Sequence, residues 1–582
     1  MAADQYELKD TDDGKFGISE HANSISLEEE PRKNSVGNFR TRFIDSFSRP
    51  ADSEGGFDAE QAAAATAASP LRRALKSRHL QMIAIGGSIG TGLFVGSGKA
   101  LATGGPASVV ISFCLVGIML YATIHALGEL AVCFPVAGSF SHYSTRFIDP
   151  AWGFAMGWNY AIMWLTLLPL EIVSAAITVG YWKSNVSPAA WVAIFYLLIV
   201  CINMFGVRGY GEAEFVFSII KVVAIIGFII LGITINCGGG PNGEYIGGKF
   251  WIEPGAFNNG FKGLCSVFVT AAFTFGGGEL VGLAAAETSN PRKSIPTAVK
   301  QVFWRIVLFY IVSMTVVGLL VPYTDQRLLN GSASSDIKAS PFVIAIQDAG
   351  IIGLDSVMNV VIMISVLSVG NAAIYGSSRT LAALAEQRQA PRFLSYIDRK
   401  GRPLLAIAAA STCGLLGFLA ASDKQQDAFT WMLAISGLSS IFTWGSICLA
   451  HIRFRQGLKA QGHSVDELPF QAQGGIIGSC IGFSINCIVL IAQFWTGFAP
   501  IGYADMSTAG RVKNWFSTYL AAPVVIMFYI VYKLWHRTSF VRAKDMDLVT
   551  GRRDLNLAHL IAEERAERLS WPTWKRAYKI FC

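Results

Sequence analysis

Residues 84–98 read AIGGSIGTGLFVGSG, six glycines in fifteen residues with apolar sequence on either side. Glycine in a helix interior costs about 1 kcal/mol relative to alanine, so a helix carrying this many is biased to break there. The surrounding sequence has to supply the reason for a broken backbone.

Those surroundings have the composition of a membrane protein. Of 582 residues, 52% are hydrophobic and 15% charged, whereas ordinary soluble chains carry about 25% charged residues. Apolar runs of about 18 to 25 residues, each long enough for a hydrocarbon core of about 30 Å, recur across residues 79–537. They predict an all-α membrane protein of about twelve transmembrane helices, at 80–101, 108–128, 154–182, 189–207, 214–235, 262–286, 302–322, 355–377, 404–421, 429–450, 475–496 and 516–536. Residues 1–78 are polar and lack the apolar core of a signal peptide, which predicts a disordered cytosolic N-terminal tail. Residues 79–537 form the transmembrane domain and residues 538–582 a cytosolic C-terminal tail.

Basic residues set the orientation. Arg72, Arg73, Lys76, Arg78, Arg292, Lys293, Lys300, Arg379, Arg388, Arg392, Arg399, Lys400, Arg402, Lys533, Arg537, Arg542 and Lys544 fall on one side of the predicted membrane. The other side has scattered charges such as Lys99, Lys183, Lys249 and Lys338. The positive-inside rule then puts both termini in the cytosol. Asn330 opens an Asn-Gly-Ser sequon on the predicted outer face and is a glycosylation candidate. The net charge of +7 reflects this topology and is not a nucleic-acid footprint. Ten cysteines are scattered without a C-x-x-C pair; Cys237 and Cys265, near the outer face, are the candidates for a disulfide.

A glycine run can bind nucleotides, but neither phosphate-binding pattern fits. Leu93 stands where a P-loop needs its first glycine and Ala100 where it needs Ser or Thr. A Rossmann turn needs a strand before it and a βαβ unit around it, which a bilayer does not admit. Close helix packing through small residues is the structural alternative. A second stretch, TAAFTFGGGELVGLAAAE from Thr270 to Glu287, weighs against packing alone, because Gly276, Gly277 and Gly278 point in all directions around a helix. Two interrupted helices, first and sixth, are the arrangement of two inverted five-helix repeats with the substrate at the midplane. Freed N–H groups over Ser88, Ile89, Gly90, Thr91 and Gly92, with the Ser88 and Thr91 hydroxyls, suit an anion. Freed carbonyls around Phe273, Phe275, Gly276 and Gly277 suit a cation. Donors facing acceptors suit a small zwitterion, of which an α-amino acid is the obvious example.

The stretches GGSIGTGLFVGSG, FTFGGGELVGLAAAETSNPRKSIP and VLSVGNAAIYGSSRTLAALAEQ, with RAKDMDLVTGRRD after the last span and the terminal Phe581-Cys582, resemble the fungal general amino acid permeases of the amino acid–polyamine–organocation superfamily. The resemblance covers residues 71–582. It implies a leucine-transporter-type inverted-repeat fold with two additional helices, and import of L-amino acids with protons across the plasma membrane.

Ionisable residues inside spans are costly and are functional candidates by default. Lys221 lies about two turns into the fifth predicted span, where it either snorkels to the cytosol or, stripped of water, releases and regains a proton. The resemblance implies that a lysine here fills the place of a sodium ion. Glu171, after Pro169, is a proton acceptor, a partner for a cationic substrate, or a protonated carboxyl bonded to a neighbouring helix. Glu279 follows the second break and either attracts an ammonium, relays a proton or caps freed N–H groups. Glu287 reads as interfacial. Phe273 and Phe275 flank the break and can close over a side chain or simply pack. Ser368 and Asn371 give the eighth span a polar stripe, which the resemblance assigns to the pocket and which interhelical hydrogen bonding would equally explain.

In the tails, the resemblance implies ubiquitin attachment at near-terminal lysines, here Lys9 and Lys15, and hence partners in the ubiquitin-ligase machinery. Leu557, Leu560 and Ile561 make a short apolar stripe, and Cys582 is a palmitoylation candidate. No catalytic set, metal cluster or cofactor motif is expected beyond a co-transported proton. The expected partners are L-amino acids and the lipid bilayer. The alternatives are an amino-acid receptor of the same fold and a permease specialised for basic, neutral or proline-type substrates.

Overall fold

The computed structural model describes residues 71–552 except 72, 88, 184, 329–339 and 422–424, with a few positions between 563 and 575. Lys9, Lys15, Ser88, Asn330, Cys582 and the stripe at residues 557–561 lie outside the described residues. The described chain is helical, with one parallel bridge between Leu75 and Thr288.

Helix α1 (Ser77–Gly86) ends at the glycine run, and the chain resumes as a π-helical stretch, Gly92–Gly96, that continues into α2 (Ser97–Cys133). A short α3 (Phe140–Phe147) precedes α4 (Pro150–Val179), α5 (Pro188–Met204) and α6 (Gly206–Asn236). The second interrupted helix is α7 (Gly260–Phe275) followed by α8 (Leu280–Leu283) and a 3-10 turn, Ala284–Glu287. Next, α9 (Pro291–Trp304) passes through a π-helical stretch, Arg305–Val312, into α10 (Ser313–Leu320). The remaining helices are α11 (Pro341–Asp348), α12 (Leu354–Glu386), α13 (Leu404–Gly414), α14 (Gln425–Ala460), α15 (Gly475–Phe498), α16 (Thr508–Tyr519) and α17 (Ala521–His536). Proline at the first position starts α4, α5, α9 and α11, where its missing N–H costs nothing.

Among the described residues, eight helical stretches are long and apolar enough to cross a membrane, or nine if α16 and α17, bent by 65°, count as one. The predicted spans depart from this for identifiable reasons. Residues 92–133 run as one apolar stretch, but the non-helical Gly105 divides it into two helices, between the first two predicted spans. Helix α5 and residues 404–419 are apolar but short, and the last predicted span is split at the α16–α17 bend.

The kink has a local cause. Gly105 has φ +80°, and a Cβ there would sit 2.8 Å from the Asn258 N and 2.9 Å from the Ala256 O. Proline follows as Pro106, so the turn cannot be rescued by the ordinary ladder. The chain at residues 256–259 supplies the missing partners. Asn258 N donates to the Gly104 O (2.8 Å), and Ala107 N donates to the Ala256 O (2.9 Å). The Asn258 and Asn259 amides donate to the Ala102 and Thr103 carbonyls at 2.7 and 2.9 Å.

Helix α6 has one exposed apolar face and one buried face. Val216, Ile219, Val223, Ile226, Ile230 and Ile233 are exposed at steps of three and four, while Glu214, Ser218, Lys221, Ile225 and Phe228 are buried on the other face. The helix starts at Gly206, well before the predicted start of the span, so Lys221 sits at its middle. Fully buried there, it does not snorkel. Cys237 and Cys265 are both free thiols, the first exposed and the second buried in α7, so the candidate disulfide is not formed.

At the end of the bundle that contains the C-terminus of α2, the buried Glu129 accepts from Arg455 (2.6 Å) and from the Ala472 N (2.6 Å), with His451 3.0 Å away. It ties α2 to α14 and to the chain leading into α15. Nearby, residues 541–550 pack on α3 and α14 through Val541 N to the Ile148 O (2.9 Å), Gln461 to the Met546 O (2.7 Å) and Arg146 to the Asp547 carboxylate (2.9 Å). Burial works against the Asp547 charge, yet the Thr550 and Val549 amides and Arg146 hold its carboxyl below the usual range. Replacing Glu129 by Ala strands Arg455 without a counter-charge and should cost about 3 to 5 kcal/mol. A markedly lower melting midpoint of the purified protein in detergent, with Glu129→Gln intermediate, is the expected result.

Candidate functional site

The two breaks face one another across a small cavity. It is lined by Gly90, Thr91 and Gly92 from the first break and by Phe273, Gly276 and Gly277 from the second. Met163, Trp164, Leu167 and Glu171 of α4, Val369 of α12, and Ser436 and Ser440 of α14 complete the wall. The cavity measures about 20 Å³, room for a water molecule and too little for an amino acid. Elements must therefore move apart for anything larger to enter.

Both expected uses of glycine are present. A Cβ on Gly92 would come within 2.6 Å of the Thr274 Cα, and one on Gly90 within 2.5 Å of a Val369 methyl. Glycine thus lets the restarted helix lie directly against α7 and α12 as well as letting the backbone break. At the start of the restarted helix the first-turn N–H groups have no intrahelical acceptors, and that of Thr91 goes to the Glu171 carboxylate. At the second break, α7 ends at Phe275 and the chain leaves the helix at Gly276, with ψ 147°.

The break in the first helix leaves the last carbonyls of α1 outside the regular ladder; Gly86 O keeps one amide, Ile89 N at 3.1 Å, and two buried cations meet these carbonyls as well. Lys221 Nζ donates to the Gly86 O at 2.6 Å and to Ser368 Oγ at 2.8 Å. Arg305 Nη1 donates to the Ala84 O at 2.5 Å, and its guanidinium occupies the space a Gly278 side chain would fill. Cations at a helix C-terminus are where the dipole favours them. Glu214 balances Lys221, 3.5 Å away, and its other oxygen accepts from Ser368 at 2.7 Å. Across the break, Thr91 Oγ1 donates to Glu171 Oε2 at 2.6 Å.

Several predicted site residues stand elsewhere. The Thr91 hydroxyl and backbone N–H are both engaged by Glu171. Ile89 is buried outside the lining, its N bonded to the Gly86 O at 3.1 Å. Phe275 turns away into a cluster with Tyr310 and Phe113, ring centres 4.3 and 5.6 Å apart, because two residues along a helix rotate it about 200° from Phe273 on the wall. Glu279 accepts from Gly277 N and Trp444 Nε1, each at 3.2 Å, which makes it a cap of the broken backbone outside the lining. Ser368 serves Lys221, and Asn371 accepts from Asn203 of α5 at 2.8 Å, so α12 reaches the cavity through Val369 instead. Glu287 is buried, not interfacial. It accepts from Tyr375 at 2.6 Å, lies 3.5 Å from Arg379, and its carbonyl accepts from Leu75 N at 3.1 Å. With Tyr210 stacked on Tyr375 at 4.1 Å, this layer closes the α1 side of the bundle.

Sequence reading missed Trp164 and Leu167, although both share a helix face with Glu171 at steps of three and four. It missed Ser436 and Ser440, a polar i, i+4 pair on an apolar helix. Glu214, two turns before Lys221 on the same face, was the signal for a buried pair. Arg305 was visible only as a basic residue close to the start of a predicted span.

Residues 79–544 match the family model described as amino acid permease. The chain is 59% identical over 552 residues to the general amino-acid permease GAP2 of Candida albicans, covering 93% of each. It is 56% identical over 554 residues to the general amino-acid permease GAP1 of Saccharomyces cerevisiae, covering 93% of this chain and 91% of that one. Over 555 residues it is 50% identical to the cationic amino acid transporter 1 of Schizosaccharomyces pombe, covering 94% and 90%. Since the matched segment contains both broken helices, the buried Lys221 and every residue of the cavity wall, the chain belongs to the amino acid permease family.

Proposed function

We propose that the protein imports L-amino acids of many kinds across the plasma membrane, each with a proton. The observation that carries this reading is the pair of helix breaks facing one cavity, with the Lys221–Glu214–Ser368 cluster at the edge of the first break. In this reading the helices make twelve crossings, ten of them in two inverted five-helix repeats, with both termini cytosolic. The substrate carboxylate lies on the N–H groups at residues 90–92, and the ammonium on the carbonyls at residues 273–276.

Lys221 is the proton-coupling residue. When protonated it holds the Gly86 carbonyl and so the end of α1; when neutral it retains a weaker hold, and α1 is free to swing. Glu214 and Ser368 are the groups that can receive or return the proton. Glu171, bonded to the first residue of the restarted helix, links substrate arrival to this cluster, because Thr91 lines the cavity and Gly86 closes α1 only five residues away. The Tyr210, Tyr375, Arg379 and Glu287 layer is the inner barrier that has to part. One proton suffices energetically. Concentrating a neutral solute a hundredfold costs about 2.7 kcal/mol, and a charge crossing 100 mV releases about 2.3 kcal/mol. Each pH unit adds about 1.4 kcal/mol.

Uptake of a labelled amino-acid panel by cells lacking their own permeases is the decisive test. Accumulation of basic, neutral and acidic amino acids that a protonophore abolishes is expected. Accumulation of one class alone would make the protein a specialist, and no uptake by surface-localised protein would favour a receptor. Replacing Lys221 by Met should abolish accumulation against a gradient while preserving exchange of internal for external substrate. Uphill uptake at the original level by that variant would remove Lys221 from the coupling step.

A further inference from the structure

A second cavity of about 560 Å³ lies at the Lys99 end of the bundle, within the size range of small-molecule sites. Its wall holds amides and hydroxyls, among them Asn258, Gln493, Asn514 and Thr430, and among its described lining residues Lys99 is the one ionisable side chain. Lys99 is exposed in it, and no described carboxylate pairs with it. Only a thin partition separates this space from the central cavity. Val269 and Thr270 of α7 line the larger cavity, and Phe273, one turn further, lines the smaller one. Lys99 follows Gly92 by seven residues, about 10 Å along the helix axis.

We infer that this cavity is the outer vestibule through which substrates reach the helix breaks, and that Lys99 makes it a filter for net charge. The inference rests on the transport reading. Neutral amides and hydroxyls bond the carboxylate and ammonium of every amino acid alike, so they do not sort substrates by charge. A single ammonium without a counter-ion does. It attracts substrates of net negative charge, repels those of net positive charge and leaves zwitterions nearly unaffected. Broad acceptance at the central cavity is thereby biased before a substrate arrives there.

The test compares initial uptake of labelled glutamate, serine and lysine at subsaturating concentration for the wild-type protein and for Lys99→Arg, Lys99→Gln and Lys99→Glu. The lysine-to-glutamate ratio is expected to rise about fivefold in Lys99→Gln and about thirtyfold in Lys99→Glu, to stay unchanged in Lys99→Arg, and to shift less in added salt. Serine uptake serves as the control for folding and surface abundance and should hold within about twofold. Parallel changes in all three substrates, or an unmoved ratio, overturn the inference while leaving transport intact. Absence of uptake of all three by wild-type protein at the cell surface overturns the transport reading and this inference with it.

Discussion

The carbonyls at the end of α1 cannot be left bare. A helix that stops inside a membrane protein exposes the negative end of its dipole to a medium without water, and each unmet carbonyl there costs several kcal/mol. Much of the surrounding structure answers this one constraint. Lys221 and Arg305 bond Gly86 and Ala84, and their charges in turn require neighbours that stabilise them. Glu214 and Ser368 surround the lysine, while Arg305 lies against Gly278 at the second break. Helices α1, α6, the π-helical stretch before α10, and α12 are thus registered to one another by the demands of a single interrupted helix.

The same logic recurs wherever the backbone departs from a helix. At Gly105 the freed groups are met by residues 256–259, which also set the start of α7. At the second break Glu279 turns back to cap Gly277 and takes a bond from Trp444. Irregular backbone at membrane depth is tolerated only where protein or a polar cavity satisfies it. At the central cavity both breaks meet, lining one small space together.

The two ends of the bundle are built differently. Below the cavity, Tyr210, Tyr375, Arg379 and Glu287 form a stacked and bonded layer, and the strand-like bridge at Leu75 and Thr288 ties α1 to the turn after α8. Above it, a partition the thickness of one helical turn stands between about 20 Å³ and about 560 Å³. The α1 side is thus held by an ion pair, a ring stack and a bridge, whereas at the other end the two cavities are lined by residues one turn apart on α7.

The sequence alone determined the membrane class, the positions of both helix breaks and three of the buried charges, Lys221, Glu171 and Glu279. Those properties are written in composition, in glycine spacing and in the cost of burying a charge, all of which are local. Gly90, Thr91, Gly92, Phe273, Gly276 and Gly277 were legible as cavity residues for that reason. Which way a side chain faces was not local. Phe275 and Phe273 are two residues apart with the same chemistry, yet one packs on Tyr310 and the other lines the cavity. Ser368 and Val369 are adjacent, and the apolar one reaches the site. Only the tertiary structure decided these, because a helix near the centre of a bundle is buried on all sides, and periodicity separates buried from exposed faces but not one buried face from another.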